Sequence, residues 1–175
     1  MLDTLVSSKT KIKLLVKFFL NASNTSYLRN LETEFSESTN SIRIELNKFE
    51  DAGLLISHSQ RNKKIFKANT NHPLFPEINS LVRKYIGIDK IIDSIISKLG
   101  IPDEVWLIGK FANGMSSDTI EIMIIGKVNK NYLDELSEKV EKNINKKLKT
   151  ILLDSPIENP YIKNNEPCLL LWSKP

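Results

Sequence analysis

Arg43 and Asn47 share one short stretch of chain with Asn40, Ser41 and Ile44, and these side chains are equipped to read base edges. A guanidinium forks onto guanine, a carboxamide pairs with adenine, and an aliphatic group such as that of Ile44 can touch a thymine methyl. A little further on, Arg61, Asn62, Lys63 and Lys64 form a basic cluster. Its cations suit phosphate oxygens, contacts that add affinity without carrying sequence information.

Such side chains work only if the chain presents them together, and the local patterns say how it does. Lys9 to Leu20 carries an apolar stripe (Ile12, Leu15, Val16, Phe19) and reads as a first helix. Asn21 to Ser26 is a polar breaker, with Thr25 or Ser26 available as an N-cap for a second helix that has Leu28, Leu31 and Phe35 on one face. Ser36 and Glu37 make a short turn, and Ser38 caps a third helix. That helix turns Ile42, Leu46 and Phe49 inward, which leaves Asn40, Ser41, Arg43, Ile44 and Asn47 outward, and it ends at Ala52-Gly53. Leu54 to Ser59 and Lys64 to Ala68 then pair as a hairpin, with Asn62 in the turn because Asn tolerates positive φ. Helix, tight turn, helix and basic hairpin is the order of a winged helix-turn-helix. The partner expected from it is double-stranded DNA, contacted by Ser38, Asn40, Ser41, Arg43 and Asn47 on the third helix and by Arg61, Asn62, Lys63 and Lys64 on the wing.

Charge is distributed accordingly. Residues 1–70 carry 11 Lys/Arg against 7 Asp/Glu, whereas residues 71–175 carry 14 of each, so the net +4 lies on the N-terminal portion. Basic charge confined to one module is the footprint expected of phosphate contacts. No apolar run approaches the roughly 20 residues of a membrane span, and a cytoplasmic protein is expected. Cys168 is the lone cysteine and reads as a small core residue; with His58 and His72 it makes no zinc set. No catalytic residue, metal ligand or cofactor is assigned.

Beyond residue 72 the pattern changes. Two prolines, Pro73 and Pro76, punctuate the entry to an apolar helical stretch (Ile78, Leu81, Val82, Tyr85, Ile86), which Gly87 interrupts and Ile88, Ile91, Ile92, Ile95, Ile96 and Leu99 resume. Residues 73–100 are thus expected to form a long connecting helix that also supports a homodimer, the assembly that reads two half-sites about 34 Å apart. From residue 101 the pattern is α/β. Strands are expected at Glu104–Ile108, Ile120–Ile125, Thr150–Leu153 and Cys168–Trp172, with an amphipathic helix from Tyr132 to Leu148. Pro156, Pro160 and Pro167 mark an irregular excursion. The expected fold class is α+β: a winged helix-turn-helix (residues 1–72), the connecting helix (73–100) and a small α/β domain with a mixed sheet (101–175).

Gly109-Lys110-Phe111-Ala112-Asn113-Gly114, followed by Asp118-Thr119-Ile120-Glu121-Ile122 and Ile124-Ile125-Gly126, resembles the signature of minimal nucleotidyltransferases. The N-terminal half is similar to ArsR-type winged-helix regulators, and the combination resembles bacterial regulators in which the two are fused. Tyr27-Leu28-Arg29, Ala52-Gly53-Leu54-Leu55, Asn62-Lys63-Lys64, Ala68-Asn69, His72 to Glu77 and Leu81 to Lys84 carry the same resemblance. It covers nearly the whole chain, with a poor match after Asp154. In the transferase family a Gly-Ser-x-x-x-Gly turn holds nucleotide phosphates, and an Asp-x-Asp pair on the next strand binds two magnesium ions.

This chain departs from that pattern where the chemistry lies. Lys110 stands for the family's serine, Asn113 for its arginine, Thr119 for the first metal carboxylate and Glu121 for the second. Thr119 and Glu121 share a strand face, but a hydroxyl does not supply the anionic oxygen that paired Mg²⁺ ions need. The third carboxylate expected near Thr150–Leu152 is missing, and Asp118 is out of register. The resemblance therefore implies a nucleotidyltransferase-like domain without catalysis, a pseudoenzyme serving dimerisation or effector sensing. Gly109, Lys110, Asn113, Gly114, Thr119 and Glu121 would line its vestigial nucleotide pocket. Lys110 could offset phosphate charge there, so that a nucleotide or other small molecule acts as an effector, or it could simply face solvent. The expected function is sequence-specific DNA-binding transcription regulation. The alternatives are an active nucleotidyltransferase acting on a protein or small molecule, and a winged-helix module that binds protein.

Overall fold

The structure, a computed structural model, describes residues 6–155 and 159–175. The fold is α+β, and the chain divides into two compact units between Tyr85 and Ile86.

In the first unit α1 (Lys9–Leu15) is capped by Ser8, whose Oγ accepts from the Lys11 N–H at 3.2 Å. It runs on as a π-helical segment, Val16–Leu20, in which every side chain is buried, including that of Lys17. Lys17 is tolerated there because its ammonium meets Glu34 at 2.8 Å. Thr25–Ser26, expected as a cap, is instead a short strand, β1, pairing Thr25 with Lys67 and Ser26 with Phe66. Backbone partners in the sheet replace the capping role, and Tyr27 stands at the N-cap of α2 (Leu28–Phe35).

Ser36 to Ser38 link α2 to α3 (Thr39–Asp51), with Ser36 in the left-handed region at φ 52°. Two anchors hold this turn. Ser38 Oγ accepts from the Ser41 N–H at 3.2 Å, capping α3 as expected. The Glu37 carboxylate takes a hydrogen bond from Lys13 Nζ at 2.6 Å and another from the Thr10 hydroxyl. Lys13 Nζ also donates to the Phe35 carbonyl at 2.8 Å, satisfying a group that the end of α2 leaves open. On α3, Ile42, Leu46 and Phe49 are buried, in the spacing read from the sequence. Gly53, at φ +70°, closes the helix: the Leu54 N–H reaches the Phe49 carbonyl and the Gly53 N–H that of Glu50, at 2.9 and 2.8 Å.

β2 (Leu55–Gln60) and β3 (Lys63–Ala68) pair antiparallel from Leu55–Ala68 to Gln60–Lys63, in a sheet of order β1-β3-β2. Only Arg61 and Asn62 remain in the turn, both left-handed at φ 45° and 61°, which is a type I′ hairpin. α4 (Phe75–Ile86) docks on this unit. Phe75 lies 5.8 Å from the Phe19 ring, and Asn79 Nδ2 donates to the Phe19 carbonyl at 2.6 Å.

The stretch expected as one connecting helix is two helices, because Gly87 at φ 95° breaks α4 from α5 (Ile88–Leu99). In the second unit α5 packs against α7 (Leu133–Ile144). Ile88, Ile91, Ile92, Ile95 and Leu99 of α5 are buried within the unit, and Ile96 is half-buried. β4 (Glu104–Ile108), the short α6 (Gly109–Ala112), β5 (Thr119–Ile125), β6 (Lys147–Leu153), the short α8 (Pro160–Lys163) and β7 (Cys168–Ser173) complete the unit. The sheet order is β6-β5-β4-β7, with β5 and β6 parallel and the other pairs antiparallel, a mixed sheet. α7 stops before the expected Leu148 because Asn145 turns left-handed and Lys147 already belongs to β6. Pro160 opens α8, Pro167 lies beyond its end, and Pro156 lies outside the described residues.

Candidate nucleic-acid interface

Every outward position expected on α3 is exposed: Asn40, Ser41, Arg43, Ile44 and Asn47. Ile44 is 46% exposed, an apolar group that the core does not use. Ser38 is exposed as well, but its hydroxyl is engaged as the helix cap.

Beside this helix lies a cleft of about 670 Å³, lined by Arg43, Leu46 and Asn47 of α3, by Tyr27, Leu28 and Arg29 at the start of α2, and by Arg61 to Lys64 and Phe66 of the hairpin. Arg43, Asn47, Arg61, Asn62, Lys63 and Lys64, separated in sequence, are thus brought to one concavity. Tyr27 and Arg29 join them. Neither is marked by periodicity, and only the packing of α2 beside the hairpin shows them. Lys63 Nζ lies 4.1 Å from the centre of the Tyr27 ring, a cation–π contact that fixes the hairpin tip against α2.

The ion pairs of this unit explain why the cleft is positive. Lys13 pairs with Glu37, Lys17 with Glu34, Lys11 and Lys48 with Glu45, and Lys64 with Glu50. Among the described residues no carboxylate pairs with Arg29, Arg43, Arg61 or Lys63. Internal neutralisation away from the cleft leaves the unit's excess charge concentrated at the cleft and its rim. Lys64 differs from its neighbours. Hydrogen bonds from Lys64 and Ser57, at 2.6 and 2.5 Å, hold the Glu50 carboxyl below its ordinary range despite some burial. Lys64 therefore carries its counterion with it.

The second unit has a different site. Thr119 and Glu121 are half-buried on one face of β5. Parallel pairing sets Lys149 opposite Glu121, and its ammonium lies 3.8 Å from the carboxylate. Gly109, at φ +67°, packs so closely on Glu121 that a Cβ there would strike the carboxylate. Burial first, then the charges of Glu121 and Glu166, push the Tyr161 phenol up. Magnesium does not fit this arrangement: the carboxylate already has an ammonium partner, and the position two residues before it is a neutral hydroxyl. Lys110 and Thr119 line a separate open hollow of about 480 Å³ with Ser116, Ser117, Asp118 and Lys146. Gly109, Asn113, Gly114 and Glu121 are not among the residues that line it. Cys168 is half-buried against Ile108, Met123 and Ile125, and burial pushes its thiol up.

No protein-family model matches the chain, and no curated protein matches it. A solved structure that does match is that of the predicted DNA-binding transcriptional regulator from E. coli, at 15% identity and a TM-score of 0.37, covering 50% of this chain and 84% of that one. A likeness so distant carries no argument about what this chain does. Among the described residues no helix is long and apolar enough to cross a membrane.

Proposed function

We propose that the chain is a sequence-specific DNA-binding transcription regulator whose first unit is a winged helix-turn-helix. The observation that carries this reading is the coincidence of two features. An exposed helix face bears Asn40, Ser41, Arg43, Ile44 and Asn47, and beside it stands a cleft whose arginines and Lys63 have no carboxylate partner among the described residues. In this reading α3 enters the major groove, where Arg43 and Asn47 read base edges. Arg61 and Lys63 on the wing, with Arg29, hold the phosphodiester backbone. Ser38 acts indirectly, by fixing the first turn of α3.

Fluorescence anisotropy with random and selected duplexes tests this. Duplex affinity should fall steeply with salt. Arg43→Ala should flatten the difference between selected and random sequence, whereas Lys63→Ala should weaken all duplexes alike. Retention of full duplex binding by both variants would remove the proposal.

The second unit, in this reading, is a nucleotidyltransferase-like domain that does not transfer nucleotides. The neutral Thr119 two residues before Glu121 supports that, since metal-dependent transfer needs paired carboxylates, and Lys149 pairs with the one that is there. Labelled ATP, Mg²⁺ and cell extract should give no incorporation; label lost on Glu121→Ala would mark an active enzyme. We further propose a cytoplasmic homodimer. Exposed Leu74 and half-buried Leu81, on and before α4, offer a second copy one apolar surface. Sedimentation of the full chain and of Leu74→Glu checks it.

A further inference from the structure

We infer that the cleft between α3, the start of α2 and the hairpin is also a binding site for a small aromatic anion, which competes there with the duplex; the competition rests on the DNA-binding reading above. A phosphate backbone needs cations and room, but not an apolar floor. This cleft has one: half-buried Leu28 and Tyr27 offer apolar surface to it, and the buried Leu46 and Phe66 back it from the core. Arg29, Arg43, Arg61 and Lys63 stand around that floor without carboxylate partners among the described residues, and Asn47 and Asn62 add amides. Its volume of about 670 Å³ lies within the range that takes small organic ligands.

Apolar floor and cationic rim together define the occupant's chemistry. A ring removes the floor from water, and an attached carboxylate, sulfonate or phosphate is received by the guanidinium forks of Arg43 and Arg61. A neutral ring would leave the cations without a partner, and a simple inorganic anion would leave the floor wet. The same arginines serve the duplex, so the two occupants exclude each other.

Calorimetric titration of the full chain with naphthalene-1-sulfonate tests this, with neutral naphthalene-methanol and ring-free methanesulfonate as controls. Saturable one-to-one binding of the sulfonate, with neither control binding comparably, is the expected result. Arg43→Gln and Arg61→Gln, both at exposed positions, should each weaken it by about tenfold, the loss of a hydrogen bond to a charged group. The same probe should displace a bound duplex at concentrations that follow its own affinity. No saturable binding, binding unmoved by both variants, or binding that leaves the duplex in place would overturn the inference. If the sulfonate binds and responds to both variants while no duplex binds in its absence, the ligand site stands and the DNA reading, with the competition, falls.

Discussion

The Lys64 ammonium donates to the Glu50 carboxylate at 2.6 Å, joining the hairpin to the last turn of α3 across 14 positions of chain. Ser57 Oγ donates to the other oxygen of the same carboxylate at 2.5 Å, so both strands of the hairpin are tied to α3 through Glu50. This orients the hairpin, and it neutralises one cation of the cleft.

Replacing Glu50 should therefore raise duplex affinity. In Glu50→Gln, Lys64 is released to a phosphate, and the slope of log affinity against log salt should steepen by up to about 0.9, one further contact. Anisotropy titrations over a salt series read this directly. An unchanged slope would mean that Lys64 never reaches the duplex.

Acid should weaken the first unit through two carboxylates. Burial pushes the Glu37 carboxyl up, but hydrogen bonds from Lys13 and Thr10 and the charges of Lys13 and Lys9 outweigh it, leaving the group below its ordinary value of 4.5; Glu50 is lowered too. Each stabilises the fold while ionised, so the contribution is complete above that value and drains away as pH falls through the folded one. Urea midpoints measured at pH 7 and at about pH 3 should show less acid loss in Glu37→Gln than in the parent.

Lys17 offers a sharper contrast, since its side chain is 2% exposed against Glu34. Lys17→Ala leaves Glu34 without its ammonium partner and should cost about 3–5 kcal/mol in chemical denaturation. The double change Lys17→Met with Glu34→Leu should recover most of that loss. Equal destabilisation by the two proteins would show that the pair matters for reasons other than charge.

Arg61 sits left-handed at φ 45°, a conformation unfavourable for a residue with a Cβ. Arg61→Gly should relieve that strain and raise thermal stability by about 0.5–1 kcal/mol, while lowering duplex affinity through the lost cation. Opposite signs in the two measurements distinguish a functional strain from a tolerated one. A gain in both would exclude Arg61 from the interface.

Gly109→Ala should destabilise the second unit, because its methyl would meet the Glu121 carboxylate at a backbone position already at φ +67°. Trp106 and Trp172 both belong to that unit, so their fluorescence follows its unfolding. No shift in the midpoint would refute the close packing.

The parts legible in the sequence are those governed by local rules. The spacing of Ile42, Leu46 and Phe49 defines the buried face of α3, Ser38 is a cap by chemistry, and Gly53 ends the helix by its conformational freedom. Asn62 announced the hairpin turn, but nothing local marks Arg61 as its left-handed neighbour. β1 is too short to show alternation and exists through its pairing with Lys67 and Phe66. Tyr27 and Arg29 reach the cleft only because tertiary packing sets α2 beside the wing. Lys149 meets Glu121 through the register of two parallel strands separated by a helix, information that no window of sequence contains. Gly87 was visible as an interruption, but it is a full break between helices.

Pairing Lys11, Lys13 and Lys17 with Glu45, Glu37 and Glu34, while no carboxylate among the described residues pairs with Arg29, Arg43, Arg61 or Lys63, makes the first unit electrically lopsided. A body with such an asymmetry experiences a torque in the field of a polyanion before any atom touches. It rotates cleft-first during approach, so a larger share of encounters becomes productive, and this advantage disappears once added salt shortens the reach of the field to about 3 Å at molar concentration.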